Sequence, residues 1–140
     1  MFELKENGFS WDMVWKGCIK VPDKYYFNDI ALKTDGSFYA SHMYERTITM
    51  EEWLMNSLFK SISGHIVLWN GDNFTKIEGT DGSGPNGILL NERAGLLYVN
   101  YNQGDNLSVY DLDNKIKKGS YFIQSPDNIF LKEAQAQPTA

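Results

Sequence analysis

A single cysteine, Cys18, stands among 140 residues. That count excludes a disulfide framework and a cysteine-based zinc site. Its apolar neighbours Trp15 and Ile19 predict a small core residue there rather than a nucleophile. Histidine is nearly as scarce, with only His42 and His65. Basic residues number 13 against 18 acidic ones, for a net charge of −5, and they form no run. No nucleic-acid partner is therefore expected. No apolar stretch approaches the roughly 20 residues that cross a bilayer as a helix. The segment Met1-Phe2-Glu3-Leu4-Lys5 has no apolar leader core. The sequence as it stands is expected to be soluble and cytoplasmic.

Aromatic residues, by contrast, are plentiful at 14%: eight Tyr, eight Phe and four Trp. With 42% hydrophobic and 22% charged residues, the composition is that of one globular domain. The aromatic excess favours sheet packing. Short strand-like runs recur at 14–19, 29–33, 37–41, 65–70, 74–77, 87–90, 96–101, 107–111, 120–123 and 128–131. Turn residues separate them. Thr34-Asp35-Gly36, Asn70-Gly71-Asp72-Asn73, Asn91-Glu92-Arg93-Ala94-Gly95 and Gln103-Gly104-Asp105-Asn106 each join a pair. Many short strands with frequent turns imply an all-β sandwich, barrel or propeller.

One segment breaks this rhythm. Thr49-Met50-Glu51-Glu52 fits a capping box, followed by Trp53, Leu54, Leu58 and Phe59 at helical spacing. A short inserted helix is predicted over 50–60, either covering a sheet edge or forming the rim of a site. Residues 133–140 carry no pattern and are expected to be a disordered tail after a domain spanning 1–132.

A repeat narrows the architecture. Phe27-Asn28-Asp29-Ile30-Ala31-Leu32 recurs as Pro85-Asn86-Gly87-Ile88-Leu89-Leu90 and as Pro126-Asp127-Asn128-Ile129-Phe130-Leu131. The last two asparagines are 42 residues apart, about one four-stranded propeller blade. The first two are 58 apart, and removing an insert of about 16 residues restores the period. The following strands match as well: Ser37-Phe38-Tyr39-Ala40-Ser41 resembles Leu96-Leu97-Tyr98-Val99-Asn100. In a propeller the first strand of each blade lines the central channel, so Asn28, Asn86 and Asn128 would converge on one axis. Amide oxygens with a carboxylate from Asp127 make a hard-oxygen site suited to Ca²⁺. Asp29, adjacent to Asn28 on the strand, would face the other way and hold a more buried cation or cap a turn. An isolated asparagine at a strand start is ordinarily a turn residue bonding its own backbone. The register of three with the repeat is what favours a shared site.

Taken in order, Phe27-Asn28-Asp29-Ile30, Phe38-Tyr39-Ala40-Ser41-His42, the helical insert, Pro85-Asn86-Gly87-Ile88 and Asp127-Asn128-Ile129 resemble the paraoxonase/arylesterase family. Gluconolactonases of the senescence marker protein type and strictosidine synthase-like propellers are its wider relatives. The resemblance covers roughly residues 10–132. It implies a six-bladed β-propeller with two calcium ions, of which about three blades are represented here. It implies that Asn28, Asn86, Asp127 and Asn128 hold a catalytic calcium and Asp29 a deeper, structural one. His42 matches a histidine at the rim and is the candidate catalytic residue. The implied activity is calcium-dependent hydrolysis of small esters or lactones. The family's glutamate ligand and its histidine pair belong to blades preceding this segment. Weak or absent catalysis is therefore expected of this chain alone. Neither Ser41-His42, which are adjacent, nor Asp81-Gly82-Ser83-Gly84, which lacks a P-loop lysine and EF-hand spacing, makes a catalytic or phosphate motif. The competing readings are a non-catalytic propeller module that binds a ligand or partner chain, and a small closed barrel in which the asparagines do not converge. Exposed blade edges also predict self-association.

Overall fold

The computed structural model describes residues 1–130. They form an all-β structure of three antiparallel sheets with one inserted α-helix. β1 (Phe2–Asn7) and β2 (Ser10–Trp15) make a two-stranded hairpin. β3 (Tyr25–Leu32), β4 (Phe38–Glu45), β5 (His65–Trp69) and β6 (Phe74–Lys76) make one four-stranded sheet in chain order. β7 (Pro85–Asn91), β8 (Leu96–Tyr101), β9 (Asn106–Asp111) and β10 (Ile116–Phe122) make the second. The helix α1 (Met50–Phe59) interrupts the first meander between β4 and β5.

Local chemistry explains the connections. In the β5–β6 turn, Asn70 Oδ1 accepts the N–H groups of Asp72 (3.1 Å) and Asn73 (2.9 Å). The side chain thereby satisfies two backbone donors that a tight turn would orphan. The capping box forms as expected: Thr49 Oγ1 accepts the Glu52 N–H, and the Glu52 carboxylate accepts the Thr49 N–H at 2.8 Å. The helix ends where Lys60 adopts φ 50°.

Strand alternation divides the core in two. One cluster lies between the four-stranded sheets and joins Ala31, Tyr39 and Ile66 to Ile88, Leu97, Val99, Tyr101 and Tyr110. Within it the Tyr101 and Tyr110 hydroxyls bond at 2.8 Å, and Tyr101 also donates to Thr80 O at 2.7 Å, so the buried polar atoms are partnered. The second cluster covers the far face of the first sheet with Tyr25, Phe38, Ala40 and Val67, against which Ile19, Val21 and Phe27 pack.

Several expectations are corrected. The strand expected at 14–19 is β2, which ends at Trp15. Its partner begins at Phe2, and Lys16 N already bonds Met1 O at 3.0 Å. Gly17 then turns the chain at φ 138°. Cys18 consequently lies outside the strand and is exposed, not a core residue. β1 was not apparent as a strand. Asn7-Gly8 closes its hairpin, with Gly8 at φ 65°. The strand expected at 120–123 is the end of the longer β10, which absorbs a register shift between Lys117 and Gly119. At 128–131 no strand forms through Phe130. The segment is tied to β7 by one backbone bond, Gly87 N to Asp127 O at 3.2 Å, without a ladder. Leu131 and the tail 133–140 lie outside the described residues.

Candidate functional site

The first two of the three repeated asparagines, Asn28 and Asn86, occupy the same irregularity in their two sheets. β3 shifts register against β4 between Phe27 and Ile30, across Asn28 and Asp29. β7 shifts register against β8 between Pro85 and Ile88, across Asn86 and Gly87. A bulge of this kind re-aims the side chains it contains. It is the structural form of the repeated Asn-x-Ile pattern.

β3 packs directly against β7. Asp29 makes the connection: its Oδ2 accepts the Ile88 N–H at 2.9 Å and its Oδ1 accepts the Ile30 N–H at 2.8 Å. Its own N–H donates to Ser41 Oγ at 2.9 Å. Asp29 is thus a clasp between sheets.

Asn86 is buried, with 6% of its surface exposed. Its Nδ2 donates to Asp127 Oδ1 at 2.7 Å. A carboxylate only accepts, so this contact fixes which amide atom faces it. Asn86 Oδ1 is left buried without a hydrogen-bond partner. Ser83 Oγ and Gln103 Oε1 are buried without a partner as well; an oxygen so placed can accept from a donor or take a cation.

The Asp127 segment is held by its backbone. Asp127 O accepts from Gly87 N and from Asn100 Nδ2 at 2.8 Å, and Pro126 O accepts from Asn102 Nδ2 at 3.2 Å. A Cβ on Gly87 would lie 2.2 Å from Asp127 O and 2.8 Å from Asn128 Cα, so only glycine permits this approach. Asn28 and Asn128 are exposed, and Asn28 Nδ2 contacts Met43 Sδ at 3.6 Å.

A cavity of about 590 Å³ opens beside Asn28. Tyr26, Tyr44 and Trp53 give it aromatic walls, and Asn102, Gln103 and Asp105 line its polar side. α1 forms one rim: Trp53 Nε1 donates to Tyr44 OH at 3.2 Å, and Gln103 Nε2 bonds Ser57 Oγ.

His42 is not gathered with these groups. Ser41 faces Asp29, so His42 points to the opposite face of the sheet. There it is 1% exposed and packs edge-on against Tyr25 and His65 at 5.1 and 4.9 Å. Its Nδ1 accepts the Tyr26 N–H at 3.1 Å, which leaves Nε2 facing Glu45 Oε1 at 3.6 Å. Burial holds the pKa of both histidines below the ordinary value. The Glu45 carboxylate opposes this for His42 without overcoming it.

Among the described residues no group of three or more His, Cys, Asp or Glu side chains is placed to hold a metal. Of the predicted donors only Asn86 and Asp127 are in contact; Asn28 and Asn128 are exposed and hydrogen-bond to none of the others, so the expected convergence of three asparagines is not seen. No protein-family model matches the sequence, and no curated protein matches it.

Sequence reasoning missed Gly87, Asn100 and Asn102 as supports of the site. A signal existed for Asn100. It aligns with Ser41 in the repeated strand, and each is a buried polar residue that bonds the backbone of an Asx-bearing segment.

Proposed function

We propose that this chain is part of a calcium-dependent hydrolase of small esters or lactones, of the paraoxonase/arylesterase type. In this reading β3–β6 and β7–β10 are two adjacent blades of a six-bladed propeller, and β1–β2 belongs to a third. The observation that carries it is the matched bulge at Asn28 and Asn86, at which the Asn86 amide nitrogen bonds the Asp127 carboxylate and the amide oxygen is left buried and unpartnered.

The Asn86 and Asp127 pair has the hard-oxygen chemistry calcium takes, out of about six to eight ligands. Asn28 and Asn128 would have to turn in from exposed positions to add theirs. When bound, the ion supplies Lewis-acid polarisation of an ester carbonyl. The chain's own residues do the rest. Gly87, Asn100 and Asn102 hold the Asp127 backbone, and Asp29 fixes the two sheets against each other. The aromatic walls at Tyr26, Tyr44 and Trp53 suit a small apolar ester or lactone. Asp29 in this reading orders the deeper end of the site through its carboxylate.

A non-catalytic binding module is the second reading, favoured by His42. Its Nδ1 is engaged by Tyr26 and its ring lies on the face opposite Asp29. Self-association belongs to the same proposal, since Phe2, Leu4, Trp11, Met13 and Trp15 form an exposed apolar face on the β1–β2 hairpin.

Calcium titration by calorimetry, with hydrolysis of phenyl acetate and of a simple lactone measured with and without chelator, tests the proposal. Calcium binding with weak, chelator-sensitive turnover is expected for the hydrolase. Binding without turnover selects the binding module. Absence of calcium binding overturns the calcium assignment of the asparagine site and the hydrolase with it.

A further inference from the structure

Among the described residues four non-glycine residues adopt left-handed backbone: Lys60 (φ 50°), Asp105 (φ 53°), Lys115 (φ 56°) and Ser125 (φ 43°). Three of the four meet. Asp105 Oδ2 pairs with Lys60 Nζ at 2.5 Å, and Asp105 Oδ1 accepts the Ser125 N–H at 2.9 Å. The Asp105 carbonyl also accepts the Ile123 N–H at 3.1 Å. All three residues line the cavity beside Asn28. Lys60 adopts it as the C-cap of α1 and Asp105 within the β8–β9 turn, both usual places for such backbone, so it is the shared carboxylate that joins the three. Here the contacts belong to three separate parts of the chain: the end of α1, the β8–β9 turn and the segment leading to Asp127.

We infer that Asp105 is a positioning residue that ties the seating of α1 to the placement of the Asp127 carboxylate. This inference rests on the calcium reading of the asparagine site. The geometry is direct. One carboxylate oxygen grips the helix through Lys60, and the other holds the Ser125 N–H, two residues before Asp127. Gln103 to Ser57 and Asn102 to Pro126 O run alongside as a second tie between the same three parts. Displacing α1 from the rim frees the Asp105 carboxylate to rotate and releases Ser125. The aromatic cavity under Trp53 and the cation site at Asn86 are therefore linked: a ligand that fills the cavity and seats the helix tightens the cation site, and the cation in turn favours the seated helix.

The test uses the chain as it stands, with calcium as the probe. Calorimetric calcium affinity and amide exchange at Ser125 without calcium are measured for wild type, Asp105→Ala, Asp105→Asn and Lys60→Met. Asp105→Ala is expected to lose about tenfold in calcium affinity, as outer-shell supports of a metal site do. Lys60→Met is expected to lose about twofold to fivefold, since the pair is partly exposed. Both accelerate Ser125 exchange. Asp105→Asn keeps an oxygen for Ser125, so it matches Lys60→Met, and combining the two adds nothing. Lys76→Met, which breaks the comparable Lys76–Asp81 pair, leaves both readouts unchanged. If Asp105→Ala does not fold, Asp105→Asn and Lys60→Met decide. Wild-type affinity and Ser125 exchange in all the Asp105 and Lys60 variants would overturn the inference while leaving the calcium reading intact. A wild-type chain that binds no calcium overturns that reading and this inference together.

Discussion

Asn86 and Asp127, 41 positions apart in the chain, meet through a 2.7 Å bond from the amide nitrogen to the carboxylate. The bond leaves the other amide atom, Asn86 Oδ1, buried and unpartnered. The pair is satisfied on one side only, and the open side is where the proposed cation would bind.

Replacing Asn86 by aspartate places two carboxylates against each other. Asn86→Asp is expected to lower Tm in the presence of chelator, because like charges at this distance repel. Added calcium should restore Tm in the variant by more than it raises that of the wild type. Thermal melts with and without calcium measure this. Equal responses of the two proteins would show that no cation binds at this pair.

Gly87→Ala drives a Cβ into the Asp127 carbonyl and the Asn128 backbone. Neither can move as a flexible side-chain end would, so the 126–128 segment must detach. A loss of about 1–3 kcal/mol is expected by urea denaturation, in the range of overpacked cores. Faster exchange of the residue 87 amide, which bonds Asp127 O in the wild type, would locate the damage.

Stability should fall as pH drops below about 6.5, the ordinary histidine value. Burial depresses the pKa of His42 and His65 in the folded chain, so over that window the unfolded chain binds more protons. Above it both histidines are neutral in both states and contribute no pH dependence. Glu45 and Lys24 act on His42 from its own sheet and the preceding loop, and Lys76, Asp81 and Glu45 act on His65. Carboxylates held below their usual range, such as Asp105 and Asp111, begin to protonate only at lower pH. Melting temperatures at pH 7.5 and 5.5, compared with those of His42→Asn, check the assignment. The variant should show a flatter profile.

Thr49→Ala removes the acceptor of the Glu52 N–H and half of the capping box. About 1 kcal/mol of helix stability should be lost. Exchange of the Glu52 amide should quicken, while the sheets, which do not depend on this cap, keep their protection.

Cys18 is exposed, so a thiol reagent should modify it in the native protein at close to the rate in denaturant. Slow native modification would restore it to the core.

Local rules were legible in the sequence where local chemistry decides. The capping box at Thr49 and Glu52 names both its partners in four residues, and α1 starts where they place it. Asn70-Gly71 fixed a turn because the Asn70 side chain bonds the backbone it precedes. The Asn-Ile repeat predicts strand starts, but its first two copies fall on register shifts inside β3 and β7, and pairing across the sheet is what decides a bulge. Cys18 was misread for the opposite reason. Trp15 and Ile19 are apolar, but whether apolar neighbours enclose a residue depends on what packs over them, and Trp15 is itself more than half exposed.

By itself, then, the sequence determined the strand-and-turn alternation, the inserted helix and the repeated asparagines, because periodicity, capping and turn chemistry act over a few residues. Tertiary structure alone decided which of those residues meet. It put Asn86 against Asp127 and sent His42 to the opposite face from Asp29. It also brought Lys60, Asp105 and Ser125 to one carboxylate. Those outcomes depend on how one sheet stacks on the next, an arrangement set by buried surface from both sheets at once.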